Sequence, residues 1–101
     1  MHPSIVQARE AIAALCRRHR IARLEVFGSA ARGDDFRIDS DADLLVAFET
    51  GHRVGLDEWD AALRDFEALL GRPVDLVQSG AVRNPFVMRQ IEQERELVYA
   101  A

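Results

Sequence analysis

The chain has 101 residues, 49% apolar and 30% charged, enough for one modest core, which excludes a disordered or fibrous polymer. This size predicts a single domain over residues 1–101. A formal net charge of −4 argues against a phosphate-backbone footprint, so direct nucleic-acid binding is not expected.

Cys16 is the lone cysteine, which excludes an internal disulfide and a Cys-based zinc cage. It falls in an apolar helical pattern and reads as a small buried hydrophobe rather than a nucleophile. There is no basic-then-apolar leader and no apolar run of membrane-spanning length, so a reducing cytoplasm is the expected location and no membrane partner is expected.

In chain order, Pro3 and Ser4 open a helix, with Ser4 as the cap and Gln7 three residues later, as in a capping box. Ile5, Ala8, Ile12 and Leu15 follow on one face, through about His19. Arg9, Arg17, Arg18, Arg20 and Arg23 gather near the end of this helix and read as a solvated face. Residues 24–27 form a short strand stopped by Gly28, residues 29–32 a helical turn, and residues 33–40 a polar loop.

A Leu- and Val-rich strand spans residues 42–48, and residues 51–55 connect it to the next helix. Leu56, Trp59, Leu63, Phe66 and Leu70 step at helical spacing, and Gly71 is placed to cap the end. Residues 73–78 give a third strand. Asn84 caps a helix with Pro85 in its first turn, running to about Arg95, and residues 97–99 add a last short strand. Interleaved helices and strands predict an α/β or α+β sheet with helices packed on it.

The chemistry concentrates between residues 24 and 48. In a strand, Asp41 and Asp43 project from one face, while Ala42, Leu44 and Val46 face the other way. Two adjacent carboxylates repel, and a divalent cation held by oxygen ligands, Mg²⁺ or Mn²⁺, resolves the conflict. Asp75 lies between Val74 and Leu76. If its strand neighbours residues 42–48, it completes a three-carboxylate cluster able to bind metal and activate a hydroxyl. Taken alone, it reads equally well as a salt-bridged residue at a strand end.

Gly28 and Ser29 stand at a strand-to-helix turn, where bare backbone and a hydroxyl suit a phosphate. On its own such a pair is simply a turn; ahead of two metal carboxylates it reads as a triphosphate cradle. Arg32 either reaches a phosphate or pairs with Asp34 or Asp35. Asp39, Asp41 and Asp43 have the spacing that opens an EF-hand, but Leu44 and Thr50 stand where that loop needs glycine and glutamate. No P-loop or dinucleotide fingerprint is present. His2, His19 and His52 have no zinc-site spacing and read as surface residues.

The run GSAARG…SDADLLV, followed by a strand holding Asp75, resembles the nucleotidyltransferase fold of the DNA polymerase β superfamily. By length it is most similar to the MNT-type proteins of bacteria and archaea, and the resemblance covers essentially the whole chain. It implies a short mixed sheet of three to four strands with helices packed on it. By the same resemblance Gly28 and Ser29 bind the triphosphate of ATP, and Arg32 is a further candidate from its position alone. Asp41 and Asp43 hold Mg²⁺, two ions in all, and Asp75 is the third carboxylate. Eleven residues separate Ser29 from Asp41, one more than the family pattern, and the doubled Asp34-Asp35 accounts for the extra one.

MNT-type proteins are commonly encoded beside a HEPN-domain ribonuclease toxin and act as its antitoxin, some by transferring AMP to a tyrosine hydroxyl of the toxin. The resemblance therefore implies a HEPN-type toxin as partner and acceptor. Because the catalytic elements occupy most of the chain, the acceptor is expected to be a macromolecule with its own docking surface. Two alternatives stand beside this: an antitoxin that acts by binding alone, and transfer to a small molecule such as an aminoglycoside. The intact carboxylate set favours the enzyme, since a pure binder gains nothing from clustered like charges.

Overall fold

Proline's fixed φ suits the first position of a helix, and Pro3 starts α1 (Pro3–Gln7) there. The computed structural model describes residues 1–33, 37 and 40–101. With Pro3 in the first turn, the cap falls to His2, whose Nδ1 accepts from the Ser4 backbone N–H at 3.1 Å. Ser4, the expected cap, lies inside the helix, its hydroxyl 2.7 Å from the same nitrogen. The expected continuous helix is also interrupted at Ala8, after which α2 (Arg9–Arg18) carries Ile12 and Cys16 into the core.

Next comes β1 (Ile21–Phe27), which starts three residues before the predicted strand. It is followed by α3 (Ser29–Arg32), β2 (Ala42–Phe48), α4 (Leu56–Leu70), β3 (Val74–Gln78), α5 (Pro85–Glu94) and β4 (Glu96–Ala100). The strands form one mixed sheet in the order β3-β2-β1-β4. β1 runs antiparallel to β2 and to β4, and β2 and β3 are parallel, with α4 as the crossover between them. A parallel pair needs such a long connection, and the amphipathic stripe on α4 covers one face of the sheet as it returns.

Alternation along the strands divides the side chains between two faces. Leu24, Val26, Leu44 and Val46 are fully buried on one, packed with Ile5, Ile12 and Cys16 from α1 and α2 and with Ala62 and Phe66 from α4. Each large apolar side chain so buried contributes ~1.5–3 kcal/mol. Leu56, expected at the head of the α4 stripe, is 89% exposed instead, and the buried stripe begins with Trp59. Gly71 ends α4 in the left-handed region (φ 67, ψ 28) as a C-cap.

The second face holds a smaller cluster of Phe27, Leu45 and Ile91, with Val77 and Val82 against it. α5 supplies Ile91, and Asn84 Oδ1 caps that helix by accepting from the Phe86 N–H at 2.9 Å. Glu25 is buried on β1 and ion-paired with Arg23 (3.0 Å) and Arg95 (3.5 Å), which meets the cost of burying its charge. Among the described residues no helix is long and apolar enough to cross a membrane.

The three histidines are structural rather than merely superficial. Besides the cap formed by His2, His19 Nε2 lies 2.6 Å from Asp65 Oδ2 and joins α2 to α4. His52 Nε2 lies 2.7 Å from Glu58 Oε2. The arginine-rich stretch is a solvated ion-paired face, with Arg18 on Asp65 (3.6 Å) and Arg20 on Glu49 (3.2 Å).

Candidate active site

β2 buries Ala42, Leu44 and Val46 fully on the α4 side, which turns Asp43 to the other face. Asp43 pairs across the sheet with Phe27 on one side and, in the parallel ladder, with Asp75 on the other. Directly paired residues of neighbouring strands share a face and lie ~5 Å apart at the backbone. Asp43 and Asp75 thus rise side by side, with Asp41 two residues upstream at the exposed mouth of β2.

Gly28 follows Phe27 with φ 65 and ψ −148, a conformation that only glycine adopts readily. A Cβ at this position would overlap Asp43 Oδ2, so the absence of a side chain is what lets the carboxylate lie against the turn. The Gly28 carbonyl accepts from the N–H groups of Ala31 and Arg32, both at 3.1 Å, winding α3 directly onto the turn. Ala30 and Ala31 are buried, while Ser29 is partly exposed beside them. The His2 N–H reaches Ala30 O at 2.9 Å and ties the N-terminal segment to α3.

Burial, first, and then the neighbouring charges of Asp75, Asp41 and Glu94 push the Asp43 carboxyl up to about 6, with Arg32 acting in the opposite direction. Arg32 Nη1 bonds Glu94 Oε2 at 2.6 Å, joining the end of α3 to the end of α5. The alternative partners expected for Arg32, Asp34 and Asp35, lie outside the described residues.

On the approach to Asp41, Arg72 Nη1 donates to the carbonyls of Arg37 (2.6 Å) and Ser40 (3.3 Å), and the Ala42 N–H donates to Pro73 O at 3.0 Å. The segment just before β3 thereby holds the segment just before β2.

Glu94 and Arg72 had no place in the sequence motif. Glu94 was accessible by periodicity, because it falls one helical turn after the buried Ile91 and shares its face. The contact made by Arg72 carries no local signal, since its partners are carbonyls far away in sequence.

Whether a divalent cation fits is a matter of donor chemistry. Among the described residues no three His, Cys, Asp or Glu side chains gather tightly enough to hold an ion alone. The like charges around Asp43 nevertheless favour a cation. The donor chemistry fits an oxygen-ligated Mg²⁺, which Asp41, Asp43 and Asp75 would hold only with further oxygen donors from a ligand. On the same face, a groove of ≈ 360 Å³ runs beside α5, lined by Leu45, Val82, Met88, Ile91 and Arg95 among others.

The nucleotidyltransferase domain family matches residues 8–98. The chain belongs to that family. A relative from Methanocaldococcus jannaschii, named "Putative protein adenylyltransferase", is 30% identical over 82 residues, covering 81% of this chain and 79% of its own. A solved structure described as a "putative minimal nucleotidyltransferase" superposes with a TM-score of 0.73 at 41% identity, over 95% of both chains. A third likeness, at 15% identity and TM-score 0.68, is to a complex of a tri-AMPylated Shewanella oneidensis HEPN toxin with its MNT antitoxin. It covers 96% of this chain and 73% of the other, and it speaks for the fold. This nucleotidyltransferase is thus of the MNT type to which the GSAARG…SDADLLV run pointed.

Proposed function

We propose that this nucleotidyltransferase is a protein adenylyltransferase and antitoxin. In this reading residues 1–101 act as one catalytic domain in the cytoplasm, moving AMP from ATP onto a hydroxyl, that of a tyrosine, on a HEPN-type ribonuclease toxin. The observation that carries it is the juxtaposition of Asp43 with Asp75 across the parallel ladder, beside a glycine whose missing side chain makes room for the Asp43 carboxylate. The name of the archaeal relative supports a protein acceptor, and the tri-AMPylated toxin of the Shewanella neighbour supports the partner class.

In this reading Gly28 offers bare backbone to the triphosphate, Ser29 donates its hydroxyl to a phosphate oxygen, and Arg32 adds a charge-assisted hydrogen bond. Asp41 and Asp43, with Asp75, hold Mg²⁺. When bound, the metal neutralises charge on the triphosphate and its leaving group. Asp75 takes the proton of the acceptor hydroxyl as its oxygen bonds the α-phosphorus. The bond from that phosphorus to the oxygen bridging the β-phosphate breaks, and pyrophosphate leaves with the electron pair.

The test is to incubate this protein with the product of the neighbouring reading frame, expected in this reading to be a HEPN-type toxin, together with ATP and Mg²⁺, and to weigh the partner by mass spectrometry. A gain in multiples of AMP is expected with the parent and none with an Asp41→Asn, Asp43→Asn variant. No gain with the parent, alongside full protection of cells by the variant, would leave binding alone as the antitoxin mechanism.

A further inference from the structure

Near Asp43 a fourth carboxylate, Glu94, is added to a site already crowded with Asp41 and Asp75. On electrostatic grounds this is a poor place for one, and Glu94 adds to the pressure on Asp43. Its contact with Arg32 does not compensate as a stability device, because ion pairs with this much solvent access add little to stability. The side chains of Arg32 and Glu94 are 42% and 21% exposed, and the contact is short, 2.6 Å from Nη1 to Oε2.

What the pair does accomplish is geometric. A loose arginine gives up its rotamer freedom when it is fixed on a ligand. Its donors lie in one rigid plane, so a partner that fixes one nitrogen also orients the rest. Glu94 is the last residue of α5, one turn beyond the buried Ile91, so its carboxylate rests on a packed helix. Arg32 is the last residue of the single-turn α3 that begins beside Gly28. The contact holds the guanidinium beside Asp43 and next to the turn assigned to the phosphates.

We propose that Glu94 is a positioning residue for the triphosphate, holding the Arg32 guanidinium in the orientation in which it meets a phosphate oxygen. The inference rests on the reading of Gly28, Ser29 and Arg32 as the nucleotide site. Glu94 itself does not touch nucleotide; it acts through Arg32.

Titration calorimetry of the whole chain with Mg²⁺ and a non-hydrolysable ATP analogue tests it without any transfer. Glu94→Ala is expected to weaken binding about tenfold, whereas Glu94→Gln, which keeps an acceptor oxygen, restores most of it. Arg32→Ala should lose at least as much as Glu94→Ala, and the Arg32→Ala, Glu94→Ala double variant no more than Arg32→Ala alone. In the transfer reaction Glu94→Ala should raise KM for ATP more than it lowers kcat. Arg32→Lys keeps the charge but not the planar fork and leaves α5 untouched. It should also weaken binding, which guards against a folding defect in the Glu94 variants.

Binding by Glu94→Ala as tight as the parent or tighter would overturn the proposal, as would losses that add in the double variant. If the parent itself binds no nucleotide, the nucleotide-site reading falls and takes this inference with it. If the parent binds and Glu94→Ala is unaffected, this inference alone falls.

Discussion

Asp43 stands where backbone register, burial and charge all converge. Its carboxyl is raised to about 6, first by burial and then by Asp75, Asp41 and Glu94. The folded state therefore holds this proton more tightly than the unfolded chain does. The associated stability is fully present below about pH 4, the unfolded value, and is lost as pH rises through about 6. Asparagine mimics the protonated form. Without divalent ions, Asp43→Asn should stabilise the fold at pH 8 by about 1–2 kcal/mol after allowance for solvent screening, and leave it unchanged at pH 4. Paired thermal melts at the two pH values check this, and a gain confined to pH 4 would contradict it. Gly28→Ala should cost about 1–3 kcal/mol, because it combines a left-handed backbone with overlap on the Asp43 carboxylate. In an Asp43→Ala background part of that cost should vanish, and a double-mutant cycle by denaturant titration measures the part due to overlap.

At the scale of the elements, α4 gives the sharpest contrast. Phe66 is fully buried against the sheet, while Leu56 at the start of the same helix is 89% exposed. Phe66→Ala should cost about 3–5 kcal/mol and Leu56→Ala no more than about 0.5 kcal/mol, read from urea midpoints. Both leucine and phenylalanine fit the periodic stripe, and periodicity alone could not tell which end reaches the core.

The same limit explains the other differences between expectation and structure. The bounds of β2 and α4, the Gly71 cap and the Asn84-Pro85 start of α5 rest on local chemistry, and all were legible. The start of β1 was not, because Ala22 and Arg23 break its apolar pattern although Ile21 is buried. The expected Ser4 cap was wrong because Pro3 takes the first helical position, which leaves the cap to His2. The pairing of Asp43 with Asp75 was legible only conditionally, since it requires β2 and β3 to be neighbours. Glu94 and Arg72 act across the fold, and nothing near them in sequence announces their partners.

At the scale of the whole molecule, the proposed nucleotide site leaves a set of exposed apolar side chains unused. The carboxylates gather at the start of β2 and β3, whereas Phe86, Val87 and Met88 on α5 are exposed apolar side chains. The Asp41→Asn, Asp43→Asn variant should therefore still co-purify with the HEPN-type toxin yet fail to protect cells, if modification is what neutralises the toxin. Co-expression with an affinity tag on the toxin, followed by growth assays, checks both halves. Loss of co-purification would mean that the carboxylates themselves form part of the docking surface.

The parallel pairing of β2 with β3 also has a consequence for how the protein comes into being. Asp43 and Asp75 meet only after the chain has travelled through all of α4, whereas β1 and β2 are joined by a nearer antiparallel connection. Pairings between distant segments must meet the entropy of loop closure before their contacts reward it, so they form late. β1 with β4 is more distant still, linking Arg23 to Ala100. A refolding chain would regain helical signal early and nucleotide binding only at the end. A nascent or partly unfolded copy would then carry Asp43 and Asp75 without ever bringing them together, and the chemistry proposed for them would stay off until folding was complete.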